Sequence, residues 1–173
     1  GEEKLSGQGV SYCAVCDGFF VRNRELVVVG GGDSAVEEGA YLTQFANKVT
    51  IVHRRDELRA QKVLQDRAFN NPKVEFIWDS VVEEIKGETG VEAVQIRNLK
   101  TIEVYDYSTN GVFIYVGLIP NSDIVKDLGI TDDEGWIITN DAMETSIPGL
   151  YAVGDVRQKF LRQIATAVGD GSH

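Results

Sequence analysis

Two cysteines separated by two residues, Cys13 and Cys16, are the side chains best suited to covalent chemistry. Three kinds of site fit this spacing: a zinc site, a structural disulfide or a redox-active dithiol. A structural zinc site needs four ligands, and the only histidines are His53 and His173. A disulfide that closes so small a loop removes little entropy from the unfolded chain. We therefore interpret the pair as a dithiol that opens and closes reversibly.

Asp17 directly follows the second cysteine. A carboxylate here could move protons for an attacking or departing thiolate. The alternative is that Asp17 only caps the turn in which it lies. We favour the acid–base role, and we note that a helix beginning after the cysteines would lower a thiol pKa.

A glycine-rich turn follows the apolar, valine-rich run 26–29. The run predicts a buried parallel strand, and from Ser34 onward the apolar residues recur at helical spacing. Gly30-x-Gly32-x-x-Ala35 has the spacing of the dinucleotide-binding fingerprint, whose helix start holds a pyrophosphate. Gly30 would allow the turn, Gly32 would let the backbone approach the phosphates, and Ala35 would let the helix pack closely. The candidate nucleotide-binding residues are Gly30, Gly31, Gly32, Asp33, Ser34 and Ala35.

A second strand with a basic end is predicted over residues 48–55, where the ribose 2′ position of the dinucleotide should lie. An NAD site would carry Asp or Glu there, whereas this chain has Arg54 and Arg55, with Arg59 further along. Arginine forks match phosphate oxygens. The alternative is a solvated, basic helix start, which we disfavour because cations at a helix N-terminus oppose its dipole. The pattern predicts a 2′-phosphate site and hence NADPH.

The composition is ordinary for a globular protein: 173 residues, 43% hydrophobic and 25% charged, with a net charge of 17 − 27 = −10. The acidic balance argues against nucleic acid as a partner, since phosphate binding needs a basic face. No apolar run approaches the roughly 20 residues of a membrane span. The charged start lacks the apolar core of a signal peptide, so we expect a cytosolic protein. The start without methionine suggests a processed fragment.

The remaining pattern predicts an α/β fold: a Rossmann-like parallel sheet with a three-stranded antiparallel meander. Residues 1–11 resemble a linker, and a crossover helix is expected over 55–69. The other expected strands are 74–77, the meander strands 80–86, 91–98 and 101–107, and a buried strand over 111–117.

We expect this NADPH-binding domain, which carries the cysteines, to span residues 1–117. Residues 118–173 should contain strands at 135–139 and 149–153 and a helix at 160–168. This tail is too short to be expected to bury a core of its own.

Electrons need a carrier between nicotinamide and sulfur, because hydride cannot pass usefully to a disulfide directly. Flavin has this chemistry. The chain shows about half of a flavin site: the run 145–153 ends at Gly154 and Asp155, whose carboxylate could bind a ribityl hydroxyl. Taken alone, such a Gly-Asp pair more often marks only a turn.

Six motifs occur in a fixed order along the chain. They are Cys13-Ala14-Val15-Cys16-Asp17-Gly18, Gly30-Gly31-Gly32-Asp33-Ser34-Ala35, His53-Arg54-Arg55-Asp56, Gly117-Leu118-Ile119-Pro120-Asn121, Tyr151-Ala152-Val153-Gly154-Asp155 and Arg162-Gln163-Ile164. Together they resemble bacterial low-molecular-weight thioredoxin reductases across essentially the whole chain. The resemblance implies a homodimeric FAD enzyme that passes electrons from NADPH to FAD, then to the cysteine pair, then to thioredoxin. It also implies an NADPH domain inserted into a split FAD domain, with the two rotating against each other.

The resemblance also assigns roles to individual residues. Cys13 and Cys16 would be the redox pair, with Asp17 as the acid–base. The 2′-phosphate would be held by His53, Arg54, Arg55 and Arg59. FAD would be touched by Asp155, Arg162, Gln163 and Ile164, and Gly117 belongs to a matched motif placed with the cofactor-binding residues.

Two departures from the family pattern stand out. The residues between the cysteines are Ala-Val rather than the usual Ala-Thr, which should tune the redox potential. The FAD-binding glycine motif expected before Gly1 and the closing helix expected after residues 169–171 are absent from this sequence. We therefore expect a complete NADPH domain plus a remnant of the FAD domain, able to bind NADPH but inactive alone. The alternatives are the reductase subunit of an alkyl hydroperoxide reductase and a stand-alone NADPH-binding redox module.

Overall fold

The computed structural model describes residues 1–172. The chain divides into two units, Gly1–Val116 and a second unit described over residues 117–172. Each unit buries an apolar cluster of its own.

Eight strands, all in the first unit, form two sheets. In chain order they are β1 (Val10–Ser11), β2 (Glu25–Val29), β3 (Lys48–Val52), β4 (Val74–Ile77), β5 (Ser80–Lys86), β6 (Ala93–Asn98), β7 (Val104–Ser108) and β8 (Gly111–Ile114). The main sheet has the order β1-β8-β2-β3-β4, and every pairing in it is parallel. Leu26, Val27 and Val28 in the central strand β2 are all buried, because a parallel sheet is covered on both faces.

Three helices connect or precede these strands. They are α1 (Ala14–Asp17), α2 (Asp33–Leu42) and α3 (Lys62–Phe69). The helix α2 begins directly after the glycine turn. Its buried residues recur every three or four positions, as expected for one side of a helix; they are Ala35, Val36, Gly39 and Leu42. The predicted strand, turn and helix around the glycine fingerprint are therefore confirmed.

The meander β5-β6-β7 is antiparallel throughout. Each strand lies inside its predicted run, except that β7 extends one residue further, to Ser108. Val94 and Ile96 of its middle strand are fully buried. They belong to the same apolar cluster as Val27 and Val112 of the main sheet. The α/β fold class with a separate three-stranded meander is confirmed.

The expectation of a linker over residues 1–11 is wrong. Leu5 is fully buried and Val10 nearly so. Val10 and Ser11 form β1, which pairs with Val112 and Phe113 of β8 at the edge of the main sheet. Two isolated apolar residues in a polar, glycine-rich run gave no periodic signal, so tertiary burial decides the structure here.

The predicted crossover helix over residues 55–69 begins later than expected, at Lys62. The preceding loop is tied to the glycine turn by long-range hydrogen bonds. The N–H of Arg59 donates to the Gly31 carbonyl at 2.8 Å, and the N–H of Gln61 donates to the Asp33 carboxylate at 2.7 Å. The arginines therefore lie in a loop, and the helix-dipole argument against the solvated alternative does not apply to them.

Over residues 117–172 the second unit contains short turns and one α-helix, α4 (Ile164–Asp170). The helix predicted over residues 160–168 therefore begins four residues later than expected. The strands expected at 135–139 and 149–153 are reduced to isolated bridges, such as Thr131 with Ile137 and Glu144 with Tyr151. A 3-10 helix over Asp123–Leu128 was not predicted.

The second unit nevertheless buries a small apolar cluster around Ile130, Ile137 and Ala152. The expectation that this tail buries no core is therefore too strong. Within residues 1–172, no helix has the length and apolar character of a membrane span. In the same residues no group of three or more His, Cys, Asp or Glu side chains is arranged to hold a metal ion.

Candidate functional site

The cysteine pair lies at the N-terminal end of α1. Cys13 precedes the helix, and its Sγ accepts the N–H of Cys16 at 3.2 Å. The two Cα atoms are 5.3 Å apart and the sulfur atoms lie within bonding distance. Cys16 is exposed, whereas Cys13 is half-buried. The helix thus begins between the two cysteines and not after them, so its first amides lie next to Cys13.

Ser11 holds the carboxylate of Asp17 beside the first cysteine. The buried Ser11 hydroxyl donates to Asp17 Oδ2 at 2.6 Å and accepts the N–H of Cys13 at 3.1 Å. The Asp17 side chain makes no capping hydrogen bond to the 3-10 helix Gly18–Val21 that follows it. The carboxylate is therefore turned toward the cysteine segment, and capping is not what this side chain does.

Glu38 joins the fingerprint helix to the cysteine helix, and sequence reasoning missed it. Its Oε2 accepts the N–H of Ala14 at 2.8 Å and the hydroxyl proton of Tyr115 at 2.6 Å. The partners are 24 and 77 residues away in the chain. No local pattern could have signalled such distant contacts.

The two fingerprint glycines, Gly30 and Gly32, lie in surroundings that suit the fingerprint. Gly30 has φ 144°, and a Cβ there would lie 2.5 Å from the Tyr115 carbonyl oxygen and 2.9 Å from the Ala35 Cβ. At Gly32 a Cβ would meet nothing within 4 Å, so the backbone there faces open space. Ala35 is fully buried, as expected for the contact between helix and strand.

Gly31, which lies between the two fingerprint glycines, makes room for His53. A Cβ at this position would overlap the His53 imidazole ring. His53 is only 4% exposed, and its Nε2 has no hydrogen-bond partner in residues 1–172. Burial and the neighbouring positive charges of Arg59, Arg54 and Arg55 lower the pKa of His53. The ring is thus held neutral at the edge of the turn.

A cleft of about 290 Å³ opens beside the glycine turn. Two of the three predicted arginines, Arg54 and Arg59, line it together with His53, whereas Arg55 does not. The remaining lining residues come from the ends of β2, β3, β5 and β8; they are Val29, Gly30, Gly31, Val52, Ser80, Val81, Val82, Tyr115 and Val116.

Asp33, at the start of α2, has its carboxylate engaged by Gln61. Asp33 Oδ1 accepts the Gln61 N–H at 2.7 Å, and Oδ2 accepts from the side-chain amide at 3.1 Å. The hydrogen bond from the Gln61 backbone N–H lowers the pKa of Asp33 most, and the bond from the Gln61 side-chain amide lowers it further. Asp33 therefore fixes the loop that carries the arginines, while the neighbouring Ser34 is exposed.

The flavin-site candidates of the second unit lie within one short segment. The Arg162 guanidinium stacks 3.6 Å from the centre of the Trp136 ring, and its Nε donates to the Asp155 carbonyl at 3.2 Å. Gln163 precedes α4, forms its capping box and is exposed, as is Ile164. The remaining candidate, Gly117, has φ 114° and nothing within 4 Å of a Cβ.

Asp170 ties the end of α4 to the turn that carries Asp155. It accepts the N–H of Gly154 at 2.9 Å and pairs with Lys159 at 2.7 Å and Arg157 at 3.0 Å. All three charged side chains are about nine-tenths buried. The turn is thus fixed by an ionic network that the sequence did not reveal.

Residues 1–171 match the sequence profile of the pyridine nucleotide-disulphide oxidoreductases. The chain belongs to this family. Family membership agrees with a dinucleotide turn and an adjacent cysteine pair in one unit.

Relatives within the oxidoreductase family are thioredoxin reductases. The thioredoxin reductases of Bacillus subtilis and Listeria monocytogenes are each 61% identical over 99% of this chain. A solved thioredoxin reductase from Streptococcus pyogenes is 68% identical with a TM-score of 0.89, and one from Lactococcus lactis is 61% identical with a TM-score of 0.79. Each structure is matched over 99% of this chain.

The chain spans about half the length of these relatives: 55% of the Bacillus subtilis protein, 54% of the Listeria monocytogenes protein, and 56% and 57% of the two solved chains. A fragment of a thioredoxin reductase therefore fits the comparisons. They do not favour the hydroperoxide reductase alternative.

Proposed function

We propose that the first unit binds NADPH across the glycine turn and the cleft beside it. The open space at Gly32 and the free amides at the start of α2 suit a pyrophosphate. Arg54 and Arg59 in the cleft suit a 2′-phosphate. The unpartnered Nε2 of buried His53 supports this, because a bound phosphate would supply the missing hydrogen-bond partner. When bound, NADPH supplies hydride.

The function that the geometry supports best is that of the NADPH- and dithiol-bearing part of a thioredoxin reductase. The observation that carries it is the bond from the Ala14 N–H to Glu38, which joins the cysteine helix to the nucleotide helix. An electron source and a disulfide acceptor are thereby built into one unit. In the longer protein, electrons would pass from NADPH to the cysteine pair and then to thioredoxin.

A flavin would supply the conversion of hydride into electrons for sulfur that this route needs. The second unit fits only part of such a group. The flavin-site candidates lie close together in the chain; they are Asp155, Arg162, Gln163 and Ile164. Residues 117–172, however, contain no second motif of strand, glycine turn and helix that could hold a pyrophosphate.

Electrons leave the reduced pair by thiol–disulfide exchange. The thiolate of one of the two cysteines, Cys13 or Cys16, attacks a sulfur of the partner disulfide. This step forms a mixed disulfide and releases one partner thiolate. The second cysteine, once deprotonated, attacks its neighbour's sulfur and releases the other partner thiolate, so two electrons leave the pair. The two protons lost by the pair end on the partner thiols. Asp17 would take and return one of them.

Exposed apolar and aromatic side chains flank Cys16 in the chain and suit a protein partner. Tyr12, Val15, Phe19 and Phe20 are 53%, 71%, 59% and 72% exposed. Exposed aromatic residues clustered beside a reactive group are typical of a docking surface. We propose a thioredoxin as the occupant.

The dithiol function can be tested without flavin. The chain is reduced with dithiothreitol, freed of it and mixed with oxidised thioredoxin, and the new thioredoxin thiols are counted. We expect about two thiols per chain, since the chain has two cysteines, and faster transfer to thioredoxin than to oxidised peroxiredoxin or glutathione. Cysteines that stay free in air, or equal rates with all three acceptors, would contradict the proposal.

The remaining assignments are also proposals, of which the homodimer rests on the family resemblance and the others on the sequence pattern as well. They are a homodimer, a cytosolic location, an NADPH domain over residues 1–117 and a flavin-domain part over 118–173. Size-exclusion chromatography with light scattering tests the dimer. Limited proteolysis tests the boundary, which should be cut near residue 117 if the two parts are separate domains.

A further inference from the structure

A polar cluster lies at the N-terminal end of the cysteine helix, formed by Glu38, Tyr115 and the amide of Ala14. A single oxygen, Glu38 Oε2, accepts both the Tyr115 hydroxyl at 2.6 Å and the Ala14 N–H at 2.8 Å. Ala14 is fully buried, and the other two residues are half-buried. Three distant parts of the chain thus meet at one carboxylate.

Tyr115 remains a hydrogen-bond donor at neutral pH. Burial, followed by the bond to Glu38, raises the pKa of Tyr115 well above its ordinary value. Its hydroxyl therefore keeps its proton and fixes Glu38 Oε2 in place beside α1.

The amide that Glu38 engages belongs to the peptide bond made by Cys13 itself. Free amides at a helix start stabilise a thiolate on the preceding residue. In the disulfide the Cys16 N–H already donates to Cys13 Sγ, so it is placed to do this in the reduced pair. The Ala14 N–H is instead shared between the Glu38 carboxylate at 2.8 Å and the Tyr115 hydroxyl oxygen at 3.0 Å. The negative charge of Glu38, together with that of Asp17, which Ser11 links to the Cys13 N–H, opposes a further negative charge on the Cys13 sulfur.

We propose that Glu38 is a positioning residue that disfavours the Cys13 thiolate and so makes the dithiol a stronger reductant. A dithiol whose thiolate is destabilised is oxidised more readily, because the reduced form loses relative stability. A pair that must pass electrons to another disulfide gains driving force in this way. The inference rests on the proposed dithiol function.

The decisive variant is Glu38→Gln, because one amide oxygen can accept both existing hydrogen bonds while the charge is lost. In a Cys16→Ser background Cys13 is the only thiol, and the ultraviolet absorbance of its thiolate is followed against pH. We expect Glu38→Gln to raise the thiolate fraction about threefold or more at a pH below the thiol pKa. Glu38→Ala, which removes the carboxylate altogether while the Ala14 N–H keeps its 3.0 Å bond to the Tyr115 hydroxyl oxygen, should raise it by at least as much.

The matched control is Glu37→Gln, which removes the same charge from the neighbouring, exposed position of α2. It should leave the thiolate titration unchanged. An equal shift in Glu37→Gln, or no shift in either Glu38 variant with the fold retained by circular dichroism, would overturn the role of Glu38.

A second readout uses the intact cysteine pair. Equilibration with dithiothreitol above the pKa of the Cys13 thiol should show Glu38→Gln shifted about threefold toward the reduced dithiol. If the parent pair does not open and close reversibly, the dithiol function itself fails. If the pair is reversible and Glu38→Gln has the parent equilibrium, only the inference about Glu38 fails.

Discussion

The hydroxyl of Ser11 donates a 2.6 Å hydrogen bond to the carboxylate of Asp17 while it accepts the N–H of Cys13. One buried side chain thus sets the position of the proposed acid–base relative to the first cysteine. We predict that Asp17→Asn slows transfer from the reduced chain to thioredoxin about 100-fold, the lower range for general acid–base catalysis. Stopped-flow mixing measures the rate.

Ser11→Ala should slow the same transfer by a smaller factor, because Asp17 keeps its charge and loses only its support. The thermal midpoint of the variant serves as the control for folding. Unchanged rates in both variants would leave Asp17 without a role in proton transfer.

Coenzyme choice should follow the residues that line the cleft. Loss of one charge-assisted arginine–phosphate contact costs about 1.5–3 kcal/mol. We therefore predict that Arg54→Ala weakens NADPH binding about tenfold or more and leaves NADH binding nearly unchanged, with a similar loss for Arg59→Ala. Titration calorimetry with both nucleotides measures this.

Arg55→Ala is the internal comparison for these variants, because Arg55 does not line the cleft. It should weaken NADPH binding less than Arg54→Ala. Equal losses for NADPH and NADH in the Arg54 variant would remove the 2′-phosphate assignment.

Gly31, between the two fingerprint glycines, should be intolerant of even a methyl group. Gly31→Ala would drive a Cβ into the buried His53 ring, and overpacking of this kind costs about 1–3 kcal/mol. We predict a lower thermal midpoint for Gly31→Ala, restored in the double variant with His53→Ala. Differential scanning calorimetry measures the midpoint.

Gly32→Ala is the matched substitution one residue along, where a Cβ meets nothing within 4 Å. It should keep the parent midpoint while weakening NADPH binding, since the methyl group would occupy space proposed for the pyrophosphate. A midpoint lowered as far as that of Gly31→Ala would contradict this assignment.

The second unit should lose stability in acid through Asp170. The hydrogen bond from Lys159, aided by Gly154 and Arg157, lowers the pKa of Asp170 from 3.8 to about 2. A carboxyl that is more acidic in the folded state stabilises it above pH 3.8, and this contribution is lost as the pH falls toward about 2. The fluorescence of Trp136 in a Trp78→Phe background reports this transition.

Asp170→Asn should make the stability of the second unit less dependent on pH in this range and lower it at neutral pH. Asp141→Asn, at an exposed position, should behave like the parent. If Asp170→Asn has the same acid transition as the parent, the ionic network does not set it.

Flavin should not bind stably to this chain alone. Residues 1–172 contain a single motif in which a parallel strand is followed by a glycine turn and a helix, namely β2 and α2. The arginines beside this motif suit NADPH. We predict a colourless protein that does not reduce thioredoxin with NADPH even when FAD is added. Absorbance in the flavin band and NADPH consumption test this, and a yellow protein with turnover would refute it.

Local patterns were enough to predict β2, the glycine turn, α2 and the meander, because alternation and helical spacing are properties of adjacent residues. The start of α3 was wrong because bonds from Arg59 and Gln61 to the glycine turn fix the preceding loop. Such bonds depend on the folded sheet and leave no periodic signal.

The same limit applies to the site. The cysteines, the glycines and Arg54 were found by residue type and spacing. Glu38 was missed, because its link to Ala14 exists only once α2 packs beside α1. Residue type did not separate Arg55 from Arg54, since only the path of the loop decides which one lines the cleft.

The turns between Gly1 and Val10, closed by hydrogen bonds from Leu5 to Gly1 and from Val10 to Leu5, have a consequence for how the first unit is tethered. The chain enters the unit at Gly1 and Glu2 and leaves it after Ile114 and Val116, and all four residues line one cleft of about 260 Å³. Entry and exit therefore share one corner of the unit. In a longer polypeptide, segments joined to the unit before Gly1 and after Val116 would meet it at this one corner.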